Sequence, residues 1–235
     1  MEMTKADNKT VVVTGASSGI GLALISQLCD AGYLPILTGR NSEKVAALAA
    51  SHKVPGYCLD VADAEAITSV TAQIETDHGA IWGLINNAGI WLEGEFADYS
   101  TQEIKSVIDT NTLGTIMMTH AVLPAMQSRA SGAIINVVST GALYTRKIIS
   151  VYSASKWAIR GFTGCLEAEC APKGVRVMGF YPGKVNSSMY ETAGINRNLD
   201  VAMTPEQAAT MIVTMLSDET MVWSQVSGRS IEDYG

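Results

Sequence analysis

The sequence predicts a single α/β domain, a doubly wound parallel sheet of about seven strands flanked by helices on both faces. Three observations carry that prediction. Short apolar, β-rich runs alternate with helical stretches along residues 1–235, and short connections between them suit parallel strands joined by right-handed crossovers. Hydrophobic residues make up 47 % of the chain and charged residues only 17 %, the balance of a sheet covered on both sides. A length of 235 residues fits one sizeable domain with a large core, with no linker, repeat or low-complexity segment to divide it.

The elements follow in order. Thr10–Thr14 (TVVVT) reads as a first strand and Ile20–Ala31 as a first helix. Leu34–Thr38 is a second strand, followed by a helix over Ser42–Ser51. Val54–Leu59, Asp63–Asp77 and Ile81–Asn86 read as strand, helix and strand. A long helix is expected over Thr101–Gln127, bent at Pro124 because proline removes a helical hydrogen bond. Ala133–Val138 is a fifth strand, Val151–Ala171 a helix and Val175–Tyr181 a sixth strand. Pro205–Leu216 is helical, and Gly228–Ile231 is expected as a short last strand. Residues 186–203, rich in Ser, Asn and Gly, lack periodicity and read as a loop or lid within the domain.

Composition excludes several function classes. A net charge of -7 offers no basic footprint for nucleic acid or an anionic membrane. No apolar run approaches the ~20 residues needed to span a bilayer. The polar stretch Met1–Lys9 lacks the apolar core of a signal peptide, and Cys29, Cys58, Cys165 and Cys170 form no Cys-x-x-Cys pair. Both observations point to a reduced, cytoplasmic setting. His52, His78 and His120 have no metal-type spacing, which speaks against a zinc site or a Ser-His-Asp triad.

Strand ends carry the candidate chemistry. The first strand leads into Thr14-Gly-Ala-Ser-Ser-Gly-Ile-Gly21, whose Gly15, Gly19 and Gly21 allow a tight bend and close approach of a pyrophosphate to a helix N-terminus. The second strand ends Thr38-Gly39-Arg40-Asn41. An acidic residue there would bind a ribose diol; Gly39 and Arg40 favour a 2′-phosphate instead, hence NADP(H). Asp60-Val61 follows the third strand, where Asp60 suits an adenine amino group, and Asn86-Asn87-Ala88-Gly89 follows the fourth. Each alone is equally an Asx turn or a surface arginine; together they mark one edge of the sheet. Farther on, Ser139 precedes Tyr152-Ser-Ala-Ser-Lys156. Tyr152 and Lys156 share a helical face, where an ammonium would pull a phenol down from its ordinary value near ~10 toward working pH. Taken alone, Tyr-x-x-x-Lys is also an ordinary helical surface pair.

Jointly these motifs resemble the short-chain dehydrogenase/reductases of standard length, over nearly the whole chain. The residues that carry the resemblance are Thr14–Gly21, Asp60-Val61, Asn86–Gly89, Asn111 in NTLG, Ser139 in VVST, Tyr152–Lys156 and Pro182–Ser188. The resemblance implies a Rossmann-type sheet and a catalytic tetrad of Asn111, Ser139, Tyr152 and Lys156. In such enzymes the serine and tyrosine hydroxyls bind the substrate oxygen, and the tyrosine is the acid in reduction and the base in oxidation. The lysine binds the nicotinamide ribose, and the asparagine links it to a proton relay. The resemblance further implies that Ser17, Ser18 and Arg40 surround a 2′-phosphate, with Ile20 opening the helix beside them. Asn87, Ala88 and Gly89 would border the adenosine ribose and the path to the nicotinamide; Pro182 and Gly183 would bound the nicotinamide; Val185 and Ser187 would bind its carboxamide. It implies hydride transfer from the pro-S face and a homo-oligomer, dimer or tetramer, formed through the 101–127 and 151–171 helices.

The expected activity is NADPH-dependent reduction of a small carbonyl, with a 3-oxoacyl-carrier-type reductase, an NAD-linked alcohol dehydrogenase and a catalytically silent nucleotide sensor as alternatives. Arg146 and Lys147 between the catalytic serine and tyrosine, with Lys184 in the Pro-Gly motif, suggest an anionic substrate; they are equally readable as solvated loop charges. Trp91, Leu92, Tyr144, Ile149, Tyr181, Met189 and Tyr190 are candidate pocket walls, each equally readable as core or interface packing.

Overall fold

The computed structural model describes residues 8–231; residues 1–7 of the polar N-terminal stretch and residues 232–235 lie outside the described residues. In chain order the elements are β1 (Thr10–Val13), α1 (Gly19–Asp30), β2 (Leu34–Gly39), α2 (Ser42–His52), β3 (Gly56–Cys58), α3 (Ala64–His78), β4 (Ile81–Asn86) and α4 (Thr101–Ile108). They continue with α5 (Gly114–Ser128), β5 (Gly132–Val137), α6 (Ser150–Cys170), β6 (Val175–Pro182), α7 (Met189–Thr192), α8 (Pro205–Ser217) and β7 (Gln225–Gly228). Among the described residues the seven strands form one sheet in the order β3-β2-β1-β4-β5-β6-β7, and every pairing between them is parallel. The strand order reverses between β1 and β4, which opens a crevice at their carboxyl ends.

Period-2 alternation builds both faces. Val11 and Val13 point into one apolar layer with Leu24, Ile25 and Leu28 of α1 and Ile212 and Leu216 of α8. Val12 points into the other, with Ile67 and Ile74 of α3, Met118 and Val122 of α5 and Leu166 of α6. β1, β4 and β5 are buried along their whole length, which is why they read as continuous apolar runs. A buried polar ladder crosses β4 and β5. Asn86 donates to Thr119 (3.0 Å) and to Asn136 (2.9 Å), and Asn136 donates to Thr163 (2.8 Å), fixing α5 and α6 against the sheet.

Two elements depart from the sequence reading. The helix expected over Thr101–Gln127 is two helices joined by a π-helical segment, Asp109–Leu113. That segment carries the fully buried Asn111, and the wider turn re-aims its side chain away from the helix axis toward the loop after β4. The discontinuity therefore lies there rather than at Pro124, through which α5 runs on to Ser128. The last strand is Gln225–Gly228, not Gly228–Ile231, because its register is set by pairing with Gly179–Pro182 of β6. Its side chains are half-buried or exposed, so an edge strand leaves no apolar run to read.

Candidate active site

The glycine turn after β1 is built from backbone contacts. The Thr14 hydroxyl accepts from the amides of Asn87 and Ala88, both at 3.0 Å, and the Asn87 side chain donates back to the carbonyls of Thr14 (3.0 Å) and Gly15 (3.2 Å). Gly15 and Gly19 have φ of +63° and +53°, a region side chains rarely enter. A Cβ on Gly21 would meet the Gly15 carbonyl oxygen at 2.5 Å, so α1 approaches the turn as closely as only glycine permits. This turn forms the floor of a cleft of about 610 Å³ at the carboxyl ends of β1, β2 and β4. Gly15, Ser17, Ser18, Gly19, Ile20, Arg40, Asp60, Val61, Asn87, Ala88, Gly89 and Ser187 all line it, as does Met189. Ser17 packs beside Gly39 at the end where Arg40 is exposed, and no carboxylate follows Gly39. Asp60 binds the Ala62 amide at 3.0 Å as an Asx turn while still facing the cleft. Size and glycine geometry fit a dinucleotide, whose adenosine end would meet Arg40 at the β2 end.

Asn111, Ser139, Tyr152 and Lys156 come together beside this cleft, in contact with its lining residues Gly89, Ile90 and Trp91. Asn111 holds the loop after β4 with two bonds. Its side-chain oxygen accepts from the Ile90 amide (2.8 Å), and its side-chain nitrogen donates to the Ile90 carbonyl (3.0 Å). The same nitrogen donates to Ser155 (3.1 Å), whose hydroxyl donates to the Tyr152 carbonyl (2.6 Å). Lys156 is buried and donates to the Val137 carbonyl at 3.0 Å. Ser139 accepts from the Gly141 amide at 2.9 Å, and its hydroxyl stands near enough to the Tyr152 phenol to lower the phenol's pKa. Gly89 passes close by, its missing Cβ only 3.6 Å from the Lys156 nitrogen.

Burial dominates the electrostatics of this cluster. It pushes the Tyr152 phenol well above its ordinary value, against the Ser139 hydroxyl and the charge of Arg146, which pull it down. Burial brings the Lys156 ammonium down to about 8. This corrects the expectation from the i, i+4 spacing. The Lys156 nitrogen lies 5.9 Å from the Tyr152 ring centroid, and desolvation outweighs any lowering of the phenol by the ammonium.

A short-chain dehydrogenase family model matches residues 9–198. An uncharacterised oxidoreductase of Staphylococcus aureus (strain MW2) is 33 % identical over 223 residues, covering 94 % of this chain and 96 % of that one. The chain belongs to the short-chain dehydrogenase family. It is accordingly an oxidoreductase with a Rossmann-type sheet. Among solved structures, the closed form of a serine dehydrogenase complexed with NADP⁺ aligns with a TM-score of 0.87 at 29 % identity, covering 94 % of this chain and 95 % of that one. An actinorhodin polyketide ketoreductase variant with NADPH aligns with a TM-score of 0.86 at 26 % identity, covering 96 % and 97 %.

In this short-chain dehydrogenase the segments named as candidate pocket walls separate into two groups. Trp91 and Tyr190 reach the tetrad: the Trp91 ring lies 4.3 Å from that of Tyr152, and Tyr190 meets Trp91 edge-on at 5.0 Å. Arg146 is exposed but close enough for its charge to act on Tyr152. Met189 lines the cleft, and Ile149, Tyr144 and Lys184 sit elsewhere. Ile149 is buried at the start of α6, where its carbonyl accepts from the Ser153 amide at 2.8 Å. Tyr144 is exposed beneath the Arg229 guanidinium, 5.4 Å from its ring centre. Lys184 is half-buried, and its carbonyl accepts from the Met203 amide at 3.0 Å. Pro182 ends β6, Gly183 packs under Arg229, and Val185 is buried in a bridge to Met203.

Sequence reading missed Thr14, Ser155, Glu93 and Arg197. The first two stand inside quoted motifs, TGASSGIG and YSASK, and their hydroxyls were the available signal. Glu93 and Arg197 carry no local signal at all.

Proposed function

We propose that this protein is an NADPH-dependent carbonyl reductase acting on small ketones or aldehydes. The observation that carries the reading is the Ser139–Tyr152 hydroxyl pair, backed by buried Lys156 and Asn111, beside a glycine-floored cleft whose far end presents Arg40 in place of an acid. Gly15, Ser17, Ser18, Gly19, Ile20 and Gly21 would hold the pyrophosphate region. Arg40 with Ser17 and Ser18 would hold the 2′-phosphate, and Asp60, Val61, Asn87, Ala88 and Gly89 the adenosine. Pro182, Gly183, Val185 and Ser187 would border the nicotinamide. When bound, the cofactor supplies the hydride. The NADP⁺ and NADPH complexes among the aligned structures support the choice of cofactor.

The protein's own part concerns the substrate oxygen. Reduction places negative charge there, and donors fixed beforehand stabilise it as it develops. Ser139 donates one hydrogen bond, and Tyr152 donates the proton that completes the alcohol. A phenol whose pKa burial has raised stays protonated at neutral pH, as a general acid in the reductive direction must. Lys156, at about 8, is near enough to neutrality to pass a proton on toward the phenolate left behind. Asn111 and Ser155 position Tyr152 through its carbonyl and hold the loop after β4 at Ile90, while the Val137 carbonyl positions Lys156. Arg146 near Tyr152 favours a substrate with an anionic group, in line with the serine dehydrogenase among the aligned structures. Exposed Leu113, Met117 and Trp157, along the π segment, α5 and α6, support self-association there into a dimer or tetramer. Four unbridged cysteines support a cytoplasmic setting.

Initial rates with NADPH and NADH, across small keto acids, diketones, aldehydes and 3-oxoacyl thioesters, test the reading; a preference for NADH would overturn the cofactor assignment. Tyr152→Phe is expected to lower kcat by about 10²–10⁴-fold while sparing NADPH binding measured by fluorescence. Retained turnover would remove Tyr152 from its role.

A further inference from the structure

We propose that Glu93 and Arg197 latch the 186–203 loop over the reacting hydroxyls, and that Trp91, held in place by that latch, sets the size of the substrate. The Arg197 guanidinium binds both carboxylate oxygens of Glu93, at 2.8 and 2.6 Å, across 104 residues of sequence. Their side chains are only 25 % and 11 % exposed, so this pair is better shielded than an ordinary surface bridge. The same carboxylate accepts the Trp91 indole N–H at 2.9 Å. Arg197 also lies over two rings, 5.6 Å from that of Trp91 and 4.9 Å from that of Tyr190. One carboxylate and one guanidinium therefore fix both rings that stand between solvent and Tyr152.

The loop's ends are pinned independently. Val185 bridges Met203, and the Asn186 amide donates to the Met203 carbonyl at 2.8 Å. Near its start, Ser187 packs against Gly19, 3.1 Å from where a Cβ would stand. Between those anchors α7 buries Tyr190, and Arg197 ties the far limb to the loop after β4. Opening the loop requires breaking the Glu93–Arg197 pair and lifting Tyr190 from Trp91. With the latch closed, the Trp91 ring lies 4.3 Å from the Tyr152 ring, tilted by 49°, and occupies the side from which a bulky carbonyl substituent would have to enter.

The latch stands on geometry alone; the role of Trp91 as a size filter rests on the carbonyl-reductase reading. Hydrogen exchange of the loop amides in the full chain decides the first. Glu93→Gln keeps the shape and removes the charge, and the double variant Glu93→Gln/Arg197→Met leaves no orphaned ion. Each single variant is expected to speed exchange over residues 189–199 by about 5-fold or more, and the double variant to add little beyond either. Unchanged exchange in the singles, or fully additive effects in the double, would overturn the latch. For the filter, Trp91→Ala is expected to raise the kcat/KM ratio of a bulky aryl ketone over a small methyl ketone by about 10-fold or more. An unchanged ratio would remove Trp91 as the filter, and so would failure of the wild-type chain to reduce any carbonyl. That last result would also end the carbonyl-reductase reading while leaving the exchange result to stand.

Discussion

On the β1–β4 side of the cleft, polar atoms are placed by main chain. Two amides converge on Thr14, Asn87 returns two bonds to adjacent carbonyls, and α1 rests on a turn with no room for a Cβ. On the opposite side the wall is made of side chains from distant segments: Trp91 on Tyr152, Tyr190 on Trp91, Arg197 on all but Tyr152. A main-chain wall offers one fixed shape to an invariant ligand portion. A side-chain wall can be re-cut residue by residue without disturbing the sheet.

The largest expected effect comes from making one substitution on both walls. In Gly21→Ala the new Cβ meets the Gly15 carbonyl oxygen at 2.5 Å and the Ala16 Cα at 2.8 Å, both main chain that cannot yield cheaply. Destabilisation of about 3 kcal/mol and loss of NADPH binding are expected, read by chemical denaturation and by titration. In Gly194→Ala, on the loop, the Cβ meets nothing within 4 Å. Only the left-handed φ of +73° opposes it, for about 1 kcal/mol. If the two changes cost the same, the contrast between the walls is wrong.

A second test concerns charge. Arg197 is half-buried against a carboxylate, whereas Lys156 is buried with its nitrogen on a backbone carbonyl. Its folded pKa near 8 stands below the ordinary 10.5, so between those values the unfolded chain binds more protons and wild-type stability rises with pH. Below pH 8 the penalty is constant, about 3 kcal/mol. Lys156→Met is therefore expected to stabilise the protein by about 2 kcal/mol at pH 7, once its lost hydrogen bond is deducted. The gain should fade as pH approaches 10.5, followed by thermal melts across that range. A gain independent of pH would place the effect in packing instead.

The same division governs what the sequence made legible. Buried strands announce themselves as apolar runs, and the glycine turn, Arg40 and Tyr-x-x-x-Lys are local patterns whose geometry follows from spacing. The π segment was invisible because Asp109–Leu113 has the composition of an ordinary helical turn; the buried bonds of Asn111 to Ile90 and Ser155 locate it. The 225–228 strand was misplaced because pairing with β6, rather than its own residues, sets its register. The Tyr152 pKa was misjudged because spacing shows the ammonium and not the surrounding burial. Glu93 and Arg197 meet across the fold, and no periodicity links them.

The smallest predicted effect is also the sharpest comparison, because two helix caps of similar worth lie on opposite walls. Asp63 caps α3, accepting from the amides of Glu65 and Ala66, both at 3.0 Å, in the half that holds the β1–β4 wall. Thr204 caps α8 through a capping box with Gln207, at the exit of the loop that Arg197 closes. Replacing either by alanine removes one acceptor for first-turn amides, for about 1 kcal/mol of stability. Denaturation should show nearly equal losses. Kinetics should not. Thr204 follows Met203, whose amide and carbonyl pin the loop to Lys184 and Asn186, so a frayed α8 loosens that hinge. Thr204→Ala is expected to raise the substrate KM by about 2- to 5-fold with NADPH affinity unchanged, while Asp63→Ala leaves the substrate KM where it was. Equal KM values in the two variants would mean that the loop is held by its side chains alone and that its hinge is not part of the substrate wall.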